Sequence, residues 1–138
     1  MVRCSLRPLF PVLLTLPLFS IGCGSSRDLK SVTILPAAAN AQNFPNGKVA
    51  FTATGTFSKP PSPTKLTNTD VSWCVGDSQG RCAGNINPGI TVDSNGVASC
   101  VGTFSGTATV LAGKTKSVMT PDEGSQMGIF GSAQLTCP

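Results

Sequence analysis

Gly106-Thr107-Ala108-Thr109-Val110-Leu111-Ala112 sets the class of this chain. Ala108, Val110 and Ala112 recur at every second position, and successive strand side chains point to opposite faces, so these three share one face. Upstream, Ile90-Thr91-Val92 and Val97-Ala98-Ser99 flank Asp93-Ser94-Asn95-Gly96, whose Asn-Gly pair favours a tight hairpin turn. Val71 and Trp73 alternate with Ser72 and Cys74, while Val49, Phe51 and Ala53 alternate with Ala50, Thr52 and Thr54. Val32 and Ile34 share a face until Pro36, which lacks a ladder donor and ends that strand. A last strand is expected near 129–137, with Ala133 and Leu135 together. No segment carries a 3.6-residue period. Short strands with turn signals at roughly 8–12-residue intervals describe an all-β sandwich or barrel, here of about seven strands. No internal repeat appears, so the strands form one unit.

The N-terminus reads differently. Arg3 and Arg7 precede an apolar run over 9–23 that ends in Phe19-Ser20-Ile21-Gly22-Cys23 and gives way to Gly24-Ser25-Ser26. A basic start, an apolar centre and a small residue before the break form an export signal. A spanning helix needs about 20 apolar residues; this run is shorter and interrupted by Pro11 and Pro17, which disfavours the alternative of an uncleaved anchor. Gly22-Cys23 resembles the lipobox of bacterial lipoproteins, which implies lipidation of Cys23 and more than one acyl chain. Two chains anchor stably where one holds only marginally. Gly24 in place of Asp, by the same resemblance, implies the outer membrane of a bacterial envelope. The expected organisation is a signal over 1–22, a lipidated cysteine and tether over 23–30, and the sandwich over 31–138. An ordinary cleaved signal is the remaining alternative.

Composition agrees with an exported β domain. Only 12% of the chain is charged against 40% hydrophobic, which is too apolar for a disordered tail. Loss of Arg3 and Arg7 lowers the formal charge from +4 to +2, and the lysines from Lys30 to Lys116 stand singly. No nucleic-acid footprint results. Four cysteines lie beyond the leader and Cys23: Cys74, Cys82, Cys100 and Cys137. An even number in an exported chain points to two disulfides with three possible connectivities. Cys74–Cys82 and Cys100–Cys137 is the pairing expected, the first closing a loop with Gly76 and Gly80, the second tying a mid-chain strand to the last one. A zinc site is disfavoured, because histidine is absent and no Cys-x-x-Cys occurs.

The ordered motifs resemble the bacterial immunoglobulin-like domain, group 2. They are Ser31-Val32-Thr33-Ile34-Leu35-Pro36, Gly47 with Phe51-Thr52-Ala53-Thr54-Gly55-Thr56-Phe57, Val71-Ser72-Trp73, Val92-Asp93-Ser94-Asn95-Gly96-Val97 and Gly106 to Ala112. This resemblance covers nearly the whole chain after the leader. It implies an immunoglobulin-like sandwich of two sheets, non-catalytic, of the kind carried by intimin- and invasin-type surface proteins. The chain departs from the family in its four cysteines, in a longer segment over 74–87, and in a longer loop over 114–127.

Little in the sequence suits catalysis. Without histidine no Ser-His-Asp or Cys-His arrangement can form. Asp93 falls in a turn and Asp122-Glu123 in a polar loop after Pro121, positions where solvated carboxylates are ordinary. No cofactor or metal is expected. Trp73 is expected in the core, with an exposed platform for sugar or peptide as the alternative. The run over 59–63, Lys59-Pro60-Pro61-Ser62-Pro63, reads as a stiff surface connection. Specificity is expected in a long loop over 113–130 at one end of the sandwich, carrying Lys114, Lys116, Met119, Met127 and Phe130. The expected role is interaction or adhesion with a protein or polysaccharide partner from a lipid anchor in the membrane. A purely structural periplasmic module and a carbohydrate-binding module are the alternatives.

Overall fold

The computed structural model describes residues 26–83, 89–118 and 124–138. The leader, Cys23 and Met119 lie outside the described residues. β1 (Leu29–Leu35) pairs antiparallel with β4 (Thr52–Phe57), and β3 (Lys48–Ala50) pairs with β8 (Val97–Cys100), which pairs with β7 (Ile90–Val92). One residue, Phe51, separates β3 from β4, and its N–H goes to Gly96 O at 2.9 Å. The two are therefore one strand with a local break, and the first layer runs β1, β4/β3, β8, β7. A two-residue β5 (Thr64–Lys65) lies beside β4. In the second layer β2 (Ala38–Asn40) pairs parallel with β10 (Ser125–Cys137), then come β9 (Gly106–Val118) and β6 (Ser72–Gly76).

Pro36 stands where the chain leaves the first layer after β1 and enters the second as β2. A residue without a backbone donor suits that change of partner. Counting β1/β2 and β3/β4 as interrupted strands and setting aside the two-residue β5, the described residues give the expected seven strands in two sheets. The chain crosses between layers after β1, β2, β5, β6 and β8, which is immunoglobulin-like connectivity. β1 begins at Leu29, itself buried, so the sandwich includes Leu29 and Lys30, two residues ahead of the expected start at Ser31.

The alternation read in the sequence is the alternation that packs. Val32, Ile34, Val49, Phe51, Ala53, Ile90 and Ala98 from the first layer meet Val71, Val75, Val110, Ala112, Ala133 and Leu135 from the second. Full burial of a side chain such as Val110 or Leu135 stabilises the fold by about 1.5–3 kcal/mol relative to exposure. Gly131 lets β1 lie directly on β10: a Cβ there would stand 2.6 Å from Val32 O. Both expected disulfides are present. Cys100–Cys137 joins the two layers at a Cα separation of 5.9 Å, and Cys74–Cys82 closes its loop at 5.7 Å.

Two expectations are corrected. The stretch 113–130 is not a long loop, because β9 continues to Val118 and β10 begins at Ser125 rather than near Ile129. Leu111, Met127 and Phe130 pack in a separate cluster rather than in the main core, so no apolar alternation marks this stretch. Register shifts around Met127 bend β10, and the hairpin meets the segment after β6. Met127 N–H goes to Gly80 O at 2.9 Å, Cys82 N–H to Ser125 O at 2.8 Å, and Ala83 N–H to Val75 O at 2.7 Å. With the β6–β9 and β9–β10 pairings these bonds close a ring of strands on the flank of the sandwich.

Inside the ring lie Leu111, Met127 and Cys82, with Cys74 and Phe130 against them. Leu111 points away from the face of Val110 and Ala112, yet it is 0% exposed. The turn that returns to Cys82 is held by Asp77, which accepts the N–H groups of Gln79 (2.9 Å) and Arg81 (3.0 Å) and pairs with Arg81 Nε at 2.9 Å. The Arg81 backbone bond is the main reason its carboxyl sits below the ordinary value; burial opposes, while the Gln79 N–H and the Arg81 side chain assist. The segment after β6 and the β9–β10 pair thus form one substructure.

Candidate functional site

The connection from β5 to β6 is shaped by one reciprocal turn. Asp70 accepts from Thr67 N–H at 2.9 Å and from Thr67 Oγ1 at 2.8 Å, and returns its own N–H to Thr67 O at 3.0 Å. Those two bonds, the backbone one first, lower the Asp70 carboxyl below its ordinary value; slight burial opposes, and the charges of Lys114 and Arg27 assist. The turn leaves Asn68 exposed between two clefts.

The first cleft, about 340 Å³, opens at the sandwich edge between β6 and the β7–β8 turn. Phe51, Leu66 and Trp73 supply its apolar walls, and exposed Lys65, Asn68 and Asn95 its polar rim. Trp73 faces inward from β6 and packs against the main core, but it stays partly exposed. Its indole lies on Gly96, where a Cβ would stand 2.7 Å from Cζ2. Gly96 is in the left-handed region (φ 81°), and Asp93 fixes the turn by accepting from Asn95 and Val97 N–H at 2.8 and 2.9 Å. Asn-Gly therefore serves a second purpose: a turn residue without a side chain makes room for Trp73.

The second cleft, about 300 Å³, shares Asn68 and adds Asp70, Ser72, Lys114 and Thr115. Of the residues expected to bind, Lys114 lines this cleft and Lys116 is exposed further along β9. Met127 is 2% exposed, and Phe130 rests on Gly80 inside the flank ring, so neither shares a surface with the lysines. Asn68 and Asn95 were not singled out by the sequence. Thr67-Asn68-Thr69-Asp70 and Asp93-Ser94-Asn95-Gly96 are visibly turns, but only folding brings both beside Trp73.

Near the start of β1, Arg27 lies 3.6 Å over the Phe57 ring and donates to Lys59 O (3.1 Å), to Thr64 Oγ1 (2.7 Å) and to Pro61 O. That network holds the proline-rich connection, as expected of a stiff link. No helix among the described residues is long and apolar enough to cross a membrane. No protein-family model matches this chain, and no curated protein matches it.

Proposed function

We propose that this chain is a lipid-anchored, non-catalytic protein of the bacterial envelope that displays one immunoglobulin-like domain for interaction. The observation that carries the reading is the pair of disulfides, one within the flank and one between layers. Such bonds form and persist in oxidising compartments outside the cytosol. The leader and Gly22-Cys23 supply the route and the anchor, and β1 starts within a few residues of that cysteine. The likeness to group 2 bacterial immunoglobulin-like domains supports display, and the two clefts flanking Asn68 offer a recessed surface for a partner.

The test is metabolic labelling of the full-length protein with an alkyne palmitate analogue, followed by membrane fractionation. Wild type is expected to take up label and sediment with membranes. Cys23→Ser is expected to take up none and to leave the membrane fraction. An unlabelled wild-type protein overturns the anchored reading.

A further inference from the structure

We infer that the paired clefts on either side of Asn68 form a saccharide-binding site, taking two consecutive sugar units of a glycan chain. This deepens the display reading by giving the domain its ligand class.

Aromatic walls and uncommitted hydrogen-bonding groups converge here. A sugar ring presents apolar C–H faces and a rim of hydroxyls, so it needs an aromatic surface beside donors and acceptors that the protein has not already used. The Trp73 indole makes no hydrogen bond among the described residues, and none of their buried side-chain nitrogens or oxygens lacks a partner. Its indole N–H is therefore not fully buried, and Trp73 itself lines the first cleft. The Asn68 and Asn95 carboxamides likewise make no side-chain hydrogen bond among the described residues. Each offers both donors and an acceptor, which suits hydroxyls whose orientation is not fixed. The backbone beneath both amides is held, by Asp70 on one side and Asp93 on the other. Amides on braced turns lose less freedom on binding than amides on loose loops.

The volume of the first cleft, about 340 Å³, lies at the small end of ligand pockets, roughly 300–1,000 Å³. It takes one ring-sized unit. The second cleft shares Asn68 with it and is lined by Asp70, Ser72, Lys114 and Thr115, donors and acceptors that suit the hydroxyls of the next unit.

The chain has a single tryptophan, so its fluorescence reports this site alone. The full-length lipidated protein, in a detergent without a sugar headgroup, is titrated with cellotetraose, chitotetraose and tetragalacturonate to ~10 mM, ten times a Kd of ~1 mM. A saturable shift or quench is expected with at least one. Asn68→Ala and Asn95→Ala are expected to weaken it about tenfold with unchanged thermal melting, and Lys114→Ala to weaken it several-fold. Unchanged emission with all three saccharides overturns the inference, as does binding that neither asparagine variant alters. Such a result leaves the palmitate labelling of Cys23 standing, so the two readings fail separately.

Discussion

Met127 donates its backbone N–H to Gly80 O, joining the start of the last strand to the disulfide loop that follows β6. That bond closes a ring around Leu111, a residue on the outward face of β9. In an uncovered sheet such a position is solvated and tolerant.

Leu111→Ala is therefore expected to destabilise the domain by about 2–5 kcal/mol, as for a buried leucine. Thr109→Ala, on the same outward face, loses only the bond from Gln134 Nε2 at 3.1 Å and is expected to cost about 0.5–1.5 kcal/mol. Urea unfolding of both variants checks the contrast. Equal, small effects would mean that the flank does not seal Leu111.

The two disulfides stabilise by different amounts because they close loops of different length. The sequence separations are 8 and 37, for which chain entropy gives about 2.5 and about 4 kcal/mol. Cys74→Ala/Cys82→Ala is expected to remain folded with its flank loosened, which hydrogen exchange at the Ala83 and Met127 amides would detect. Cys100→Ala/Cys137→Ala is expected to lower the melting temperature further, since it frees the end of β10 from β8.

Inward alternation made the main core legible in the sequence: Val32, Ile34, Val110, Ala112 and Leu135 all face where a period of two puts them. The cysteine count pointed to two disulfides but left three connectivities open, and the expected one is the one formed. The flank was not legible, because Leu111 and Met127 are buried, and Phe130 partly so, by a partner segment distant in sequence rather than by their own alternation. The clefts were half legible. Trp73 was recognised as a residue with two possible settings, core or platform, and it occupies a border between them. Asn68 and Asn95 carry only turn propensity in the sequence, which says nothing of their convergence on one tryptophan.

Gly131 shows the opposite case, a residue whose meaning is purely the approach of another backbone. Gly131→Ala is expected to cost about 1–3 kcal/mol, since its Cβ would press on Val32 O and the obstacle is main chain rather than a mobile side chain. Gly102→Ala puts nothing within 4 Å of the new Cβ and is strained only by its positive φ of 58°. The larger loss in thermal stability is expected for Gly131→Ala, and a reversed order would argue against direct β1–β10 contact.

The Asp70 turn makes acid stability a probe of the candidate site. Its carboxyl is lowered in the folded chain, chiefly by the Thr67 N–H and then by the Thr67 hydroxyl. A depressed folded value means that the folded state binds its proton less readily than the unfolded one. The stabilisation is thus fully present above the unfolded carboxylate value of about 3.9 and is lost as pH falls through the folded value. Asp77 contributes with the same sign. Asp70→Asn keeps an oxygen for Thr67 but removes the titration, so its urea midpoint is expected to fall less steeply than wild type below about pH 4. Wild-type and variant curves that remain parallel through that range would show that Asp70 does not hold this turn through its charge. Asn68 would then lack the brace on which its role beside Trp73 depends.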